Sequence, residues 1–263
     1  MVDKRVAIVT GGTRGMGKSI SLTLAAQGDI VVAVYRADDN AAYETEQELK
    51  KLSERSIIKK VDLADGEAIK KLVAEVDEEF GRIDILVNNA GIAEFRFLEE
   101  YDEEAFDHIF NVNFRSQLRL MYAVVPAMKR NAFGRIVNAS SVSGTYADVG
   151  QLSYGVSKAA INMLTRIAAG ELGSYGITVN AYAPGIIYTD MTKELLDARG
   201  DFYLNNIPAR FFGAGDDVAA LVQYLVSDGA RYINGDIIGI GGGLFKVQNP
   251  YRAYEYIKEE KES

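Results

Sequence analysis

The sequence predicts a single-domain, doubly wound α/β fold: a seven-stranded parallel sheet flanked by helices on both faces. Three observations lead to this prediction. Short apolar runs alternate with helical patterns along the chain, which is the order that βα units require. Most of these runs are continuously apolar, as in strands that are buried on both faces. The 263 residues suffice for one large domain with a sizeable core.

The predicted strands are short runs rich in β-branched and other apolar residues. They are, in chain order, Val6–Val9, Ile30–Tyr35, Ile57–Val61, Ile83–Val87, Arg135–Ala139, Thr178–Ala183 and Ile237–Ile240. Helical patterns lie between them, and a helix between two strands is the usual connection of a parallel sheet.

The helices are predicted from apolar residues spaced for one helical face. In the segment that starts at Ile69 they recur at i, i+3, i+4, i+7 and i+11, and Gly81 stands where a glycine commonly ends a helix. Asp102–Lys129 is one long helical stretch, with Pro126 as the place where it can bend. Leu152–Leu172, which is rich in alanine, is another.

Two segments interrupt this alternation. Pro184–Pro208 is long for a βα connection, which usually has about 2–6 residues, so we expect a lid or binding loop there. Residues 244–263 follow the last strand and end in charged residues, as a solvated tail does. No Gly/Ser linker marks a boundary. We therefore expect residues 1–243 to form one catalytic domain and residues 244–263 a C-terminal extension.

The composition excludes several classes of protein. The chain has no cysteine and one histidine, so disulfides, thiolate ligands and a multi-histidine metal site are excluded, and no metal is expected. With 29 basic and 37 acidic residues the net charge is −8, which disfavours a nucleic-acid partner. No apolar run reaches the ~18 residues of a membrane span. An apolar strand follows Met1–Arg5 at once, where a signal peptide would need its own apolar region. We expect a soluble cytoplasmic protein.

The first strand leads into a glycine-rich turn, Thr10–Gly17, with the pattern T-G-x-x-x-G-x-G. Nucleotide-binding folds place their phosphate-binding turn here, because the amides at a helix N-terminus favour an anion. Glycine also permits positive φ and a close approach of the backbone to a pyrophosphate. The common G-x-G-x-x-G pattern fits in no register, and a tight turn without a ligand is the alternative. The position after the first strand favours a dinucleotide site in a Rossmann-like fold.

Polar residues gather at the predicted carboxyl ends of other strands. Ser140 and Ser141 follow the fifth strand, and Asn88–Gly91 follow the fourth. Tyr154 and Lys158, four residues apart on a helix, share one face. Taken singly, each group is as well explained by a turn or a surface pair. Together they lie where ligands bind in open α/β sheets, which favours one active site.

In these motifs the sequence resembles the short-chain dehydrogenase/reductase family, most of all its 3-oxoacyl-(acyl-carrier-protein) reductase-like branch. The resemblance covers about residues 4–243, and the Ser141-to-Tyr154 interval of 13 and the Tyr-x-x-x-Lys step are those of the family. The matching motifs are Thr10–Gly17, Asp62, Asn88–Gly91, Asn113, Ser141, Tyr154–Lys158, Pro184–Gly185, Thr189, Tyr232–Gly235 and Gly241–Gly243. Each is weak by itself, whereas their order and spacing are specific.

The resemblance implies a catalytic role for Asn113, Ser141, Tyr154 and Lys158. Tyr154 would be the general acid in ketone reduction, and Lys158, together with the oxidised nicotinamide, would lower its pKa from about 10. Ser141 would hydrogen-bond the substrate carbonyl. Asn113 would hold a water that relays protons to Lys158, although a buried amide bonded to backbone is a serious alternative. Ser140 is placed like Ser141, but the interval of 13 residues selects Ser141.

The resemblance also implies a nicotinamide dinucleotide site. Its residues would be Gly11, Thr13, Arg14, Gly15, Met16, Gly17, Arg36, Asp62, Leu63, Asn89, Ala90, Gly91, Tyr154, Lys158, Pro184, Gly185, Ile187 and Thr189. An NAD-dependent enzyme usually has an acid at the end of the second strand, and here Tyr35 takes its place. Arg14 and Arg36 could grip a 2′-phosphate, which favours NADP(H). NAD(H), the alternative, requires Asp38 or Asp39 to reach the ribose.

The sequence therefore predicts an NADP(H)-dependent carbonyl reductase that converts a ketone, a 3-oxoacyl or other small carbonyl compound, into a secondary alcohol. The alternatives are an NAD(H)-dependent sugar, polyol or secondary-alcohol dehydrogenase and a non-catalytic dinucleotide-sensing regulator. An acyl carrier protein is disfavoured as a partner, because the chain is acidic and Tyr175 stands where such reductases tend to carry arginine. A homotetramer or homodimer built on the two long helices is expected.

Overall fold

The predicted strands join one parallel sheet. The computed structural model describes the backbone of residues 4–262 and the side chains of residues 4–258. In that part of the chain the strands are β1 (Val6–Thr10), β2 (Ile30–Tyr35), β3 (Ile57–Lys60), β4 (Ile85–Asn88), β5 (Gly134–Ala139), β6 (Ile177–Pro184) and β7 (Ile237–Ile240). Their order is β3-β2-β1-β4-β5-β6-β7, and every neighbouring pair is parallel.

Helices connect the strands and cover both faces of the sheet. In the described residues they are α1 (Gly15–Ala26), α2 (Asp39–Leu52), α3 (Gly66–Phe80), α4 (Glu103–Phe110), α5 (Ser116–Arg130), α6 (Leu152–Leu172), α7 (Lys193–Leu204), α8 (Gly215–Leu225) and α9 (Tyr251–Glu262). Helices α3, α5 and α6 pack on one face, and α1, α2 and α8 on the other. The doubly wound fold is thereby confirmed. Within the described residues, no helix has the length and apolarity that a membrane crossing requires.

Two apolar layers hold the helices to the sheet. Successive residues of β1 point to opposite layers: Val6 and Ile8 lie in the layer under α3 and α5, whereas Ala7 and Val9 lie in the layer under α1 and α8. This division explains the continuous apolar runs, since a strand covered on both faces has no solvent side. Burying one Val, Leu or Ile side chain contributes about 1.5–3 kcal/mol. The sheet is therefore a firm platform for the loops at its carboxyl edge.

The predicted helix Asp102–Lys129 is one helical run from Glu103 to Arg130, but it contains a π-helical turn that was not predicted. Between α4 and α5 lies a π-helical turn, Asn111–Arg115. The α-helix runs on through Pro126, so the irregularity lies earlier than the proline that was expected to cause it. Asn113, in the π-helical turn, bonds to the backbone of Ile92 in the loop after β4. A π-helical turn inside a helix is frequently found at a functional site.

The two segments expected to be irregular each contain a helix. Pro184–Pro208 contains α7, whose backbone leaves helical geometry at Arg199. The C-terminal extension contains α9, most of whose described side chains are exposed. Tyr254 of α9 is half-buried because the Arg210 guanidinium lies over its ring, 4.6 Å from the centroid. The extension thus docks on the segment that follows α7. Ser263 lies outside the described residues.

Candidate active site

The loops that follow β1 and β4 meet at the centre of the carboxyl edge. The two strands are neighbours in the sheet, and the chain leaves them in opposite directions, towards β2 on one side and β5 on the other. Open α/β folds bind ligands in the crevice at such a switch point. The glycine-rich turn Thr10–Gly17 follows β1, and Asn88–Gly91 end and follow β4. The structure therefore brings these two predicted motifs together.

The glycine-rich turn forms a cradle that side chains would fill. Gly11 and Gly15 adopt φ of 61° and 50°, in the left-handed region that favours glycine. A Cβ atom at Gly17 would lie 2.0 Å from the carbonyl oxygen of Gly11, so only glycine fits there. The Thr45 hydroxyl donates to the Thr13 carbonyl at 2.9 Å and steadies the turn. Backbone this open, ahead of the N-terminus of α1, fits the pyrophosphate of a dinucleotide.

Asn89 locks the loop after β4 against this turn. Its Nδ2 donates to the Thr10 carbonyl at 2.9 Å, and its Oδ1 accepts from the Tyr182 hydroxyl at 2.9 Å. The Thr10 hydroxyl accepts in turn from the backbone N–H of Ala90 at 3.0 Å. A Cβ atom at Gly91 would lie 3.5 Å from Lys158 Nζ. The loop therefore runs from the phosphate cradle to the catalytic residues that the resemblance implies.

The segments after β3 and β6 complete the predicted cofactor site. Asp62 follows β3 and accepts a hydrogen bond from the backbone of Ala64 at 2.9 Å, next to buried Leu63. After β6, Thr189 returns to the cradle, where its Cγ2 would lie 3.7 Å from a Cβ atom on Gly15. The remaining predicted cofactor residues lie between these points, on or beside the same edge: Met16, Pro184, Gly185 and Ile187.

The side chains of the two arginines expected to bind a 2′-phosphate are both exposed to solvent. Arg14 precedes α1 in an extended conformation, and Arg36 follows β2. Neither side chain forms a hydrogen bond or ion pair with any residue that the structure describes. The competing acids are engaged elsewhere. Asp38 caps α2 by accepting from the Ala41 backbone at 3.0 Å, and Lys60 Nζ binds both oxygens of Asp39 at 2.8 and 2.9 Å.

Tyr154 and Ser141 meet where β5 ends and α6 begins. Ser141 follows β5 and lies beside the Tyr154 phenol, and its hydroxyl accepts from the Ser143 backbone N–H at 3.1 Å. Burial raises the pKa of Tyr154, and the hydrogen bond from Ser141 offsets part of that rise. The net direction is opposite to the lowering expected from Lys158. The reason is that in the chain alone the phenol is desolvated while the lysine is bonded elsewhere.

Lys158 is a buried cation, only 3% exposed. Its Nζ donates to the Ala139 carbonyl at 2.7 Å and lies 5.5 Å from the centre of the Tyr154 ring. Burial lowers the pKa of Lys158 to about 8. No carboxylate pairs with Lys158 among the described side chains. A lysine kept near its titration point in a crevice is a group whose perturbed pKa suggests a functional role.

Asn113 holds the loop after β4 with both ends of its amide. Its Oδ1 accepts from the Ile92 N–H at 2.8 Å, and its Nδ2 donates to the Ile92 carbonyl at 2.9 Å and to the Ser157 hydroxyl at 3.2 Å. The structure therefore shows the backbone-bonded amide that was the alternative to a water-holding role. The Ser140 hydroxyl, in contrast, donates to Asn162 Oδ1 at 2.5 Å.

Gln117 is a buried residue of the site that was not predicted. Its side chain is 1% exposed, and its Nε2 lies 3.5 Å from the Ala139 carbonyl that also binds Lys158. Its Oε1 finds no partner among the described residues. The signal was present in the sequence, since Gln117 stands four residues after Asn113 on an otherwise apolar face. The spacing of Asn113 and Gln117 does not, however, reveal that Gln117 and Lys158 share the Ala139 carbonyl.

Comparison with known proteins finds similar sequences over most of the chain. A family model described as short chain dehydrogenase matches residues 5–200. A 3-oxoacyl-(acyl-carrier-protein) reductase of Staphylococcus epidermidis is 39% identical over 239 residues, which cover 91% of this chain and 98% of that protein. A protein of the same name from Thermotoga maritima is 38% identical over 248 residues, covering 92% and 98%.

Two solved structures share the fold over nearly their whole length. The crystal structure of levodione reductase has a TM-score of 0.86 at 29% identity and covers 91% of this chain and 96% of its own. A proposed gluconate dehydrogenase from Agrobacterium tumefaciens has a TM-score of 0.89 at 30% identity, with coverage of 93% and 97%. The similarity thus extends past residue 200 to the last strand.

Proposed function

The chain belongs to the short-chain dehydrogenase family, and on that premise we propose that it is an NADP(H)-dependent reductase that converts a ketone into a secondary alcohol. Membership makes it an oxidoreductase that acts with a nicotinamide dinucleotide on a small molecule. The observation that carries the proposal is the convergence of Ser141, Tyr154 and Lys158 at the carboxyl end of β5.

Tyr154 has the properties of a general acid. The cradle and the loop after β4 would hold NADPH, which would supply the hydride for the carbonyl carbon. The Tyr154 hydroxyl gives its proton to the carbonyl oxygen as negative charge develops there. Burial raises the pKa of the phenol, so the hydroxyl keeps its proton at neutral pH until the developing alkoxide, a stronger base, takes it. Ser141 lies beside the phenol and would donate its hydroxyl hydrogen to the same carbonyl oxygen, which would orient the substrate against Tyr154.

Lys158 and Asn113 support this proton transfer. The Lys158 ammonium lies 5.5 Å from the centre of the Tyr154 ring and is the cation that would stabilise the phenolate formed when Tyr154 loses its proton. Its pKa of about 8 lets it give up a proton near physiological pH. Asn113 fixes the loop that carries Gly91 towards Lys158, and a water beside it would connect Lys158 with solvent. In this proposal the main role of Asn113 is to position the loop after β4.

The preference for NADP(H) is supported by the charges at the adenosine end. Arg14 and Arg36 offer two guanidiniums without protein partners, whereas Asp38 and Asp39 are held by α2 and Lys60. A guanidinium fork binds a phosphate with charge-assisted hydrogen bonds, and a ribose hydroxyl would gain far less from it. The absence of an acid at Tyr35 removes the usual acceptor for that hydroxyl.

Replacing Tyr154 by phenylalanine tests the proposed function. We expect Tyr154→Phe to lower ketone turnover by about 10²–10⁴-fold while NADPH still binds, because only the transferable proton is lost. Turnover is followed by the loss of reduced-nicotinamide absorbance, and binding by its fluorescence. Tyr43→Phe, at an exposed tyrosine of α2, is the matched control. A Tyr154→Phe enzyme that reduces its best ketone at a normal rate would refute the assignment of the acid.

A further inference from the structure

Two exposed aromatic side chains pack together at the edge that carries Ser141. The ring centroids of Tyr146 and Phe245 are 5.2 Å apart, and the ring planes are tilted by 36°. The two residues nevertheless remain 38% and 54% exposed. Large rings that touch each other and still face solvent form a surface that a ligand can cover, because most of their apolar area is still available.

Tyr146 is fixed to the helix turn that carries Lys158. The segment between Ser141 and Tyr146 lies directly on α6, where a Cβ atom at Gly144 would come within 2.8 Å of the Lys158 carbonyl carbon. The Asn162 amide donates to the Gly144 carbonyl at 3.1 Å and holds the segment down. The Tyr146 ring therefore stands on a short, anchored loop whose other end is the serine that would bind the carbonyl.

Phe245 is held in a backbone conformation that its side chain disfavours. Its φ is +59°, in the left-handed region where bulky residues are rare and glycine or asparagine is usual. Its neighbour Leu244 is buried and would contact a Cβ atom on Gly185 at 3.3 Å, so the turn is anchored beside the end of β6. Strained residues of this kind cluster at functional sites. The fold thus buries Leu244 and leaves the larger phenyl ring outside.

We propose that Tyr146 and Phe245 form an aromatic wall of the substrate site, and that the substrate carries a flat ring next to its carbonyl group. The inference rests on the proposed reductase function, which it narrows. Tyr146 of the wall lies in the loop after β5, and Phe245 lies after β7. Because Phe245 belongs to the C-terminal extension, the extension would contribute to substrate specificity.

Two methyl ketones of different width test the wall in the full-length enzyme with NADPH. Acetophenone carries a phenyl ring on its carbonyl, whereas butanone carries an ethyl group. We expect wild-type kcat/KM to favour acetophenone, and Phe245→Ala to lower that preference about tenfold by removing apolar contact area. Phe245→Gly removes the ring and relieves the left-handed strain, so it should lose the same preference without losing thermal stability. Tyr43→Ala, on α2, is the matched control and should leave the preference unchanged.

The outcomes separate the wall from the reductase function. If Phe245→Ala lowers kcat/KM for both ketones by one factor, or Phe245→Gly keeps the acetophenone preference, the wall is refuted. If the enzyme reduces other carbonyl compounds through Tyr154 but neither binds nor prefers acetophenone, the wall is refuted and the reductase stands. Calorimetric titration covers the reverse case. If acetophenone binds the NADPH complex about tenfold more weakly in Phe245→Ala, yet no carbonyl is reduced, the wall stands and the reductase function fails.

Discussion

At the adenosine end of the crevice, Arg36 is the residue that should decide between the two dinucleotides. Its guanidinium is exposed and has no partner among the described residues, and the strand end beside it lacks an acid. We expect Arg36→Asp to lower kcat/KM for NADPH by about 10- to 100-fold, because a charge-assisted contact is replaced by repulsion. The same change should raise kcat/KM for NADH, since the carboxylate can accept from the ribose hydroxyl.

Arg231→Asp is the control for this experiment. Arg231 is an exposed arginine in the segment before β7, and its replacement changes the net charge equally. It should leave the ratio of the two kcat/KM values unchanged. A wild-type enzyme that prefers NADH would show that Asp38 or Asp39 leaves its present partner for the ribose, and the assignment of Arg36 would then be wrong.

We expect the buried charge of Lys158 to lower the free energy of unfolding at neutral pH. Its pKa is about 8 in the fold and 10.5 when unperturbed. Below pH 8 both states hold the proton and the full penalty of burying the charge is present. Between pH 8 and 10.5 the unfolded chain binds more protons, so stability rises with pH. We therefore expect Lys158→Met to raise the free energy of unfolding at pH 7 by about 1–3 kcal/mol while removing activity.

Thermal denaturation at pH 7 and above pH 10 checks this expectation. The gain of Lys158→Met should shrink towards zero as wild-type Lys158 becomes neutral in both states. Lys71→Met, on exposed α3 surface, should show no such trend. A Lys158→Met protein that is less stable than the wild type at pH 7 would show that the bond to Ala139 outweighs the burial of charge.

At the residue scale, spacing in the sequence predicts which side chains lie together, but it does not predict their pKa values. The interval of 13 residues singles out Ser141, and it is Ser141 that lies beside Tyr154, while Ser140 bonds to Asn162. The raised pKa of Tyr154 could not be predicted, because it depends on how many groups of distant segments exclude water from the phenol. Gln117 was missed for a related reason, since its partner is a backbone carbonyl that leaves no mark in the sequence.

At the scale of elements, strands could be predicted better than helices. The strand bounds are correct to within two residues, because continuous apolar runs have only one explanation in a sheet covered on both faces. The π-helical turn Asn111–Arg115 could not be predicted, because apolar periodicity does not register one extra residue in a turn. The helix is not interrupted at Pro126, where a bend was expected. A proline lacks only one donor, and α5 continues around it because packing on the sheet holds both sides.

At the scale of the whole molecule, the long helices leave an apolar surface uncovered. Met121, Val124 and Ile161 lie in the chain's own core, but Met163 and Ile167 of α6 are 55% and 52% exposed. We expect the protein to be a dimer or tetramer in light scattering, with α6 in the contact. The double variant Met163→Asp, Ile167→Asp should shift it towards the monomer, because two carboxylates would be buried there.

Tyr43→Asp, which adds a charge on exposed α2, should leave the measured mass unchanged. A monomeric wild-type protein would contradict the expectation directly. A multimer that the double variant does not dissociate would place the contact on another face of the molecule.

The order of the strands also bears on how the chain reaches its fold. β1 lies between β2, which follows it closely in the chain, and β4, whose Ile85 pairs with Ala7 across most of the N-terminal third of the sequence. A nascent chain that has emerged only through β3 therefore presents one edge of β1 without a partner. That edge presents unpaired backbone N–H and C=O groups on a strand that is apolar from Val6 to Val9, and such edges are the places where partly folded chains associate. Lys4 and Arg5, directly before β1, are charges of the kind that discourage such pairing while β4 is still missing.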